Sequence, residues 1–211
     1  MCGRYVLYSD NEFEELKEIV AETEKEINLK VGEVFPTNTV PVVVENRIQL
    51  LKWGFYTYDK KLIINARSET VESKPMFKNA FYGKRCLIPA TSYFEWKKES
   101  SGKTKYEISP ANRSLFFMAG LYNTFRDNNN NVFDGFVIIT TLANKTTSEI
   151  HSRMPAILER GEEKLWLDKN ITDTTLLKQI LKPYSDESIL CQVAQPSGSI
   201  ETPPLFDHLT S

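Results

Sequence analysis

From Val40 onward the chain breaks into short runs rich in β-branched and aromatic residues: VPVVV, RIQLL, LIINA, RCLIP, SYFEW, KYEI, LFFMAG and VFDGFVIITT. Such runs, bounded by polar turns, predict strands. Ahead of them, Ser9 and Glu12 have capping-box spacing, and Phe13, Leu16, Ile19 and Val20 follow at helical intervals, which predicts one amphipathic helix. ESSGK and RDNNNN read as hairpin tips, because Ser, Asn, Asp and Gly tolerate turn conformations that β-branched residues resist. Towards the end, EEKLWL and TTLLKQIL predict two short helices, and SILCQVA a last strand before a Pro-rich tail. No repeat or linker interrupts the 211 residues. The expectation is one domain spanning 1–211, of the α+β class and mainly β.

Composition narrows the function. The 26 basic and 28 acidic residues nearly cancel, so any contact with nucleic acid must come from a local cluster rather than from overall basicity. Cys2, Cys86 and Cys191 are an odd number at wide spacing, which suits neither a disulfide framework nor a zinc site and favours a reducing compartment. The start MCGRYVLYSD lacks the long apolar run of a leader, and no stretch approaches the ~18 apolar residues of a membrane span. A cytosolic protein with no metal and no cofactor is expected.

Cys2 is the first candidate for chemistry. Aminopeptidases remove Met1 when a small residue follows, leaving an α-amine and a thiol on one residue. Such a pair traps aldehydes: the amine, with an ordinary pKa of about 7.7 to 8.0, condenses to an imine, and the thiol closes a five-membered thiazolidine on the same carbon. In NARSE, Asn65, Arg67 and Glu69 lie two apart, so an extended segment turns all three to one side. Such a set offers an amide for an amine and a guanidinium for a phosphate. In SYFEWKK, alternation separates Phe94 and Trp96 from Tyr93, Glu95 and Lys97; with the aromatics in the core, Glu95 would face a surface or a cleft, and held among aromatics it could move protons. In HSRMP, His151 and Arg153 would share a side, one suited to protonating a sugar oxygen and the other to a phosphate. Each piece alone also has a plainer reading: a small residue at position 2, a solvated strand end, an exposed glutamate, a structural histidine.

Read together, MCGRY, Trp53 with Gly54, NARSE, RCLIPATSYFEWKK at 85–98, the Thr140 strand and HSRMP at 151–155 resemble the SRAP family, the SOS response-associated peptidases. The resemblance covers roughly residues 1–158. It implies a barrel-like antiparallel architecture with a few peripheral helices. It also implies a role in the DNA damage response, in which abasic sites in single-stranded DNA are shielded through a thiazolidine crosslink. By the same resemblance Cys2 is the nucleophile, Asn65 positions its amine, and Glu95 and His151 are the acid/base pair. Arg4, Arg67 and Arg153 then hold phosphates, Trp53 and Gly54 wall the DNA groove, and Thr140 lines it. The partner is single-stranded DNA carrying abasic sites, met by a monomer in the cytosol, at the nucleoid when DNA-bound.

The sequence departs from the family pattern in two places. Glu33, Val34, Phe35 and Pro36 stand where an Asn precedes Ala-Pro, and the usual C-terminal Val-x-Asn is not recognisable in CQVAQPSGSIETPPLF. Rival readings are an N-terminal-nucleophile amidohydrolase, a thiol peptidase acting on Met1 or other peptides, a lyase-like activity, and a single-strand binding module without a covalent step.

Overall fold

The computed structural model describes residues 2–7, 32–59, 61–126 and 132–194. The predicted helix from Ser9, the tip of RDNNNN, Met1 and the Pro-rich tail lie outside the described residues.

A ring of five strands forms the centre: β3 (Thr39–Val44), β4 (Arg47–Trp53), β8 (Arg85–Ala90), β11 (Phe116–Arg126) and β12 (Val132–Leu142). The order β11, β8, β3, β4, β12 closes because β12 also pairs with β11. Closure satisfies strand edges that an open sheet would leave bare. At its far end β12 carries two further strands, β7 (Asn65–Arg67) in parallel and β13 (Arg153–Pro155) antiparallel. A second sheet holds β14 (Ile189–Val193), β10 (Gly102–Pro110), β9 (Ser92–Glu99), β1 (Tyr5–Leu7) and β2 (Gly32–Val34), in that order. The chain passes from barrel to second sheet between β8 and β9, with only Thr91 between them. A small hairpin of β5 (Phe55–Tyr56) and β6 (Leu62–Ile63) completes the strands.

Every predicted strand run is found as a strand, LIINA being split between β6 and β7. ESSGK is the tip joining β9 and β10, where Glu99 pairs with Gly102. Among the described residues there are four helices: α1 (Pro75–Gly83), α2 (Lys145–Ser148), α3 (Glu162–Leu167) and α4 (Thr174–Ile180). The third and fourth are the predicted pair. The first was not predicted, although Pro75 at its first turn and Phe77, Ala80 and Phe81 on one buried face carry the signal.

All six residues of β8 are buried, which explains its continuous apolar run; α3 covers its outer side, and the Trp166 indole donates to the Cys86 carbonyl at 3.0 Å. Arg85 fastens this arrangement. It is 5% exposed and donates to the carbonyls of Trp166 at 2.6 Å, Phe81 at 2.9 Å and Ile171 at 3.1 Å, and also to Asp168. Removing it strands several buried carbonyls, each costing about 1–3 kcal/mol. Arg85→Leu is therefore expected to lower the thermal midpoint by roughly 6 °C or more, measured by calorimetry; an unchanged midpoint would show that water replaces the guanidinium.

Candidate active site at the amino terminus

The residues before β1 thread between the two sheets. Tyr5 pairs with Tyr93 and Val6 with Ser92, and the Phe94 N–H donates to the Arg4 carbonyl at 2.9 Å. This antiparallel run delivers Cys2 into the core, fully buried, with its thiol directed at the Arg4 carbonyl at 3.9 Å. Burial pushes the thiol pKa far above its ordinary value, and the nearby Glu95 carboxylate adds to the shift. The thiol is held protonated, so its reaction needs a proton acceptor close by.

Glu95 lies close to this thiol. It is 2% exposed, and burial raises its carboxyl pKa. Phe94 is buried as expected, but the rest of the expected division of SYFEWKK is corrected: Tyr93 and Glu95 are buried too, with Glu95 close to Cys2, whereas Trp96 is only half-buried. Tyr5 and Tyr93 close the surroundings of Cys2, and both phenols are pushed well up, chiefly by burial and further by Cys2. The Tyr5 hydroxyl is buried without a hydrogen bond among the described residues. Neither tyrosine was singled out from sequence, although Tyr93 shares the face of Glu95.

Asn65 comes from β7, whose pairing with Ile138 to Thr140 of β12 fixes its register. Its Nδ2 donates to the Cys2 carbonyl at 2.9 Å; the expected partner was the amine. Its Oδ1 is buried without a hydrogen bond among the described residues, an acceptor left over next to the Cys2 backbone. The alternation in NARSE is as expected, with Ala66 and Ser68 buried and Arg67 and Glu69 exposed.

His151 follows α2, which is capped by the Asn144 side chain accepting from the Thr147 N–H at 2.9 Å. The Arg153 N–H donates to His151 Nδ1 at 3.0 Å, which leaves the proton of the neutral ring on Nε2. Burial lowers its pKa, and the charges of Arg153 and Lys98 act in the same direction. The imidazole is therefore neutral near pH 7.

The arginines differ from expectation. Arg153 is 11% exposed in its side chain and committed: it makes a two-pronged ion pair with Glu69, at 2.5 and 2.9 Å, and donates to the Thr140 carbonyl at 2.6 Å. This pairing holds the Glu69 carboxyl below its ordinary pKa. Arg4 is paired with Glu33 at 3.5 Å. Only Arg67 of the three expected phosphate ligands is exposed. Thr140 is fully buried and ties segments together, accepting from Arg153 and from the Ser68 N–H at 2.9 Å.

The expectation that Trp53 faces DNA is corrected. It is fully buried, packed on Tyr5 with ring centroids at 5.3 Å and stacked on Phe136 at 6.2 Å. Its indole donates to the Ile64 carbonyl at 3.0 Å, so it holds the backbone that presents Asn65. Gly54 is required by its own backbone: its φ of +131° disfavours any side chain, and a Cβ there would come within 2.3 Å of Leu62. A cleft of about 650 Å³ is lined by residues on or near β9, β10, α2 and β14, among them Lys97, Tyr106, Lys145, Glu149, Asp186 and Cys191. Among the described residues no group of three His, Cys, Asp or Glu side chains could hold a metal ion, and no helix is long and apolar enough to cross a membrane.

A sequence profile described as SOS response associated peptidase (SRAP) matches residues 1–197. The chain belongs to the SRAP family. Among SRAP relatives, the abasic site processing protein YoqW of Bacillus subtilis is 33% identical over 220 residues, 96% of this chain and 95% of that protein. The abasic site processing protein YedK of Escherichia coli is 28% identical over 183 residues, 82% of each. The SRAP fold recurs in a crystal structure of a protein from Bacteroides thetaiotaomicron, with a TM-score of 0.80, 25% identity and 92% of each chain covered.

Proposed function

We propose that this chain recognises abasic sites in single-stranded DNA as part of the DNA damage response and traps them covalently through Cys2 once Met1 has been removed. The observation that carries the reading is the burial of a thiol beside a carboxyl and a spare amide acceptor, at the one residue whose amine can be set free by trimming. YoqW and YedK are named for abasic site processing, which supports the same substrate here.

In the proposed reaction the Cys2 amine adds to the aldehyde of the opened sugar, with Asn65 Oδ1 as its acceptor. A His151 that has taken up a proton supplies it through Nε2–H as the carbinolamine oxygen leaves as water, and returns to the neutral ring. The thiol then attacks the resulting iminium carbon, its proton passes to the Glu95 carboxylate, and a C–S bond closes the thiazolidine. One amine, one thiol and one aldehyde give one ring and one water. With Met1 in place the Cys2 nitrogen is an amide, whose delocalised lone pair cannot form the imine. The protein acts as a monomer, in the cytosol and at the nucleoid.

The test is a denaturing gel after incubation with abasic single-stranded DNA. Trimmed protein, verified by intact mass, gives a heat-resistant adduct, and protein blocked from trimming gives none. Full crosslinking by protein that retains Met1 excludes the ring and leaves a thiol acting alone. Phosphate affinity falls mainly to Arg67. Arg67→Ala is expected to reduce the slope of log K against log salt by about 0.7, the value for one contact on a single strand; an equal slope shows that Arg67 touches no phosphate.

The family's description as a peptidase favours a second use of the same thiol, attack on a peptide carbonyl with Glu95 or His151 as base. Peptide hydrolysis lost in Cys2→Ala would support it, and its absence in the parent protein ends it.

A further inference from the structure

The segment at 33–36, where this chain departs from the family pattern, plays no part in the chemistry above, yet it is built into the edge of the site. Its turn is fixed: the Phe35 N–H donates to Asn38 Oδ1 at 3.1 Å, the Phe35 carbonyl accepts from the Asn38 N–H at 3.0 Å, and Thr37 has a φ of 72°. The Phe35 ring is thereby held outward, 38% exposed. Beneath it lies the Arg4 guanidinium, 4.3 Å from the ring centroid, and the same guanidinium is 5.1 Å from the Trp96 ring. The Cys2 thiol is directed at the carbonyl of this same Arg4 at 3.9 Å, so the stack lies beside the residue proposed to trap the sugar.

Charge decides what such a corner can take. Glu33 pairs with Arg4 at 3.5 Å and also with Lys105, whose ammonium sits 3.6 Å from the Phe94 ring centroid. A phosphate approaching Arg4 would meet the negative charge of this carboxylate. The flat face of an uncharged base meets no such repulsion, and aromatic and guanidinium planes are the surfaces on which unpaired bases stack.

We propose that Phe35, supported on Arg4, is a stacking platform for an unpaired base flanking the abasic site, and that Glu33 turns this corner from phosphate binding to base binding. The inference rests on the single-stranded DNA reading above and corrects the expected phosphate role of Arg4.

The test uses fluorescence anisotropy with two oligonucleotides that carry a tetrahydrofuran abasic analogue, which has no aldehyde. One has purines on both sides of the analogue; in the other the flanking nucleotides are themselves tetrahydrofurans. Phe35→Ala is expected to weaken binding to the first by roughly fivefold or more, the size of one lost stacked base. Phe35→Trp restores it, the salt slope stays at the parent value, and neither substitution matters on the second oligonucleotide. Glu33→Gln is expected to free Arg4 and steepen the salt slope by about 0.7. Equal losses on both oligonucleotides, no loss on either, a shallower slope in Phe35→Ala, or an unaltered slope in Glu33→Gln each overturns the proposal. Crosslinking of a true abasic site by the parent is scored separately on a denaturing gel. A parent that binds without crosslinking ends the covalent reading while the Phe35 effect is still read. A parent that binds neither oligonucleotide ends both.

Discussion

Cys2→Ala is expected to give no heat-resistant adduct with abasic single-stranded DNA at any reaction time, while still binding the same DNA. In the proposed reaction the thiol closes the ring, but it lies fully buried and adds nothing to the exposed surface proposed to meet the strand. Without it the reaction stops at an imine, which water reverses. Cys86→Ala and Cys191→Ala serve as controls: Cys86 is a buried residue of β8, and Cys191 is a half-buried residue of β14. A stable adduct in Cys2→Ala would mean that another residue holds the sugar, and the mechanism proposed here would then be wrong.

Glu95→Gln is expected to slow adduct formation by about 10²- to 10⁴-fold, the usual contribution of a positioned proton carrier. The pH profile separates this role from a structural one. Burial raises the carboxyl pKa, so the carboxylate that takes the thiol proton appears only as pH climbs past the ordinary range; the parent rate should rise there, and the glutamine variant should lose that limb. Stability should move the other way. Because the folded-state pKa lies above the unfolded one, the fold pays for ionising Glu95 once pH exceeds the unfolded value, and the penalty grows until the folded pKa is passed. Above the folded pKa, Glu95→Gln should therefore melt higher than the parent even as it reacts more slowly. An unchanged single-turnover rate would remove Glu95 from the reaction. His151 is expected to act in the same direction when replaced by alanine, with its own protonation limb displaced to acid by burial.

The strands were legible because β-branched and aromatic runs bounded by polar turns have few alternatives. Part of the expected cluster is found together: Asn65 donates to the Cys2 carbonyl and Glu95 lies close enough to raise the Cys2 thiol pKa, whereas His151 is held by the Arg153 backbone. What the sequence hid was direction. SYFEW alternates correctly, but aromatic content misleads about which face is inward, because the protein buries Glu95 and leaves Trp96 half-open. Trp53 beside a glycine looks like a ligand wall, and only the closed ring of strands shows it to be surrounded by Tyr5 and Phe136. Arg153 and Glu69 are 84 residues apart, so nothing local signals that one neutralises the other. The helix α1 was missed because strands flank its nine residues on both sides, and a stretch that short offers little more than two turns of periodicity.

The place of β1 has a bearing on how long a trapped lesion would persist. This strand lies inside its sheet, bonded to β9 on one side and β2 on the other, and Asn65 grips the carbonyl of the residue that would carry the sugar. A protease set to free the DNA could not nick the chain near the linkage while these bonds stand, since cleavage needs an extended segment in its own active site. It must wait for the domain to open, and the population of that open form is set by the folding equilibrium. The same hydrogen bonds that shape the nucleophile would thus time the clearance of its product, and substitutions far from Cys2 that loosen the barrel should shorten the life of the adduct under proteolysis without changing how fast it forms.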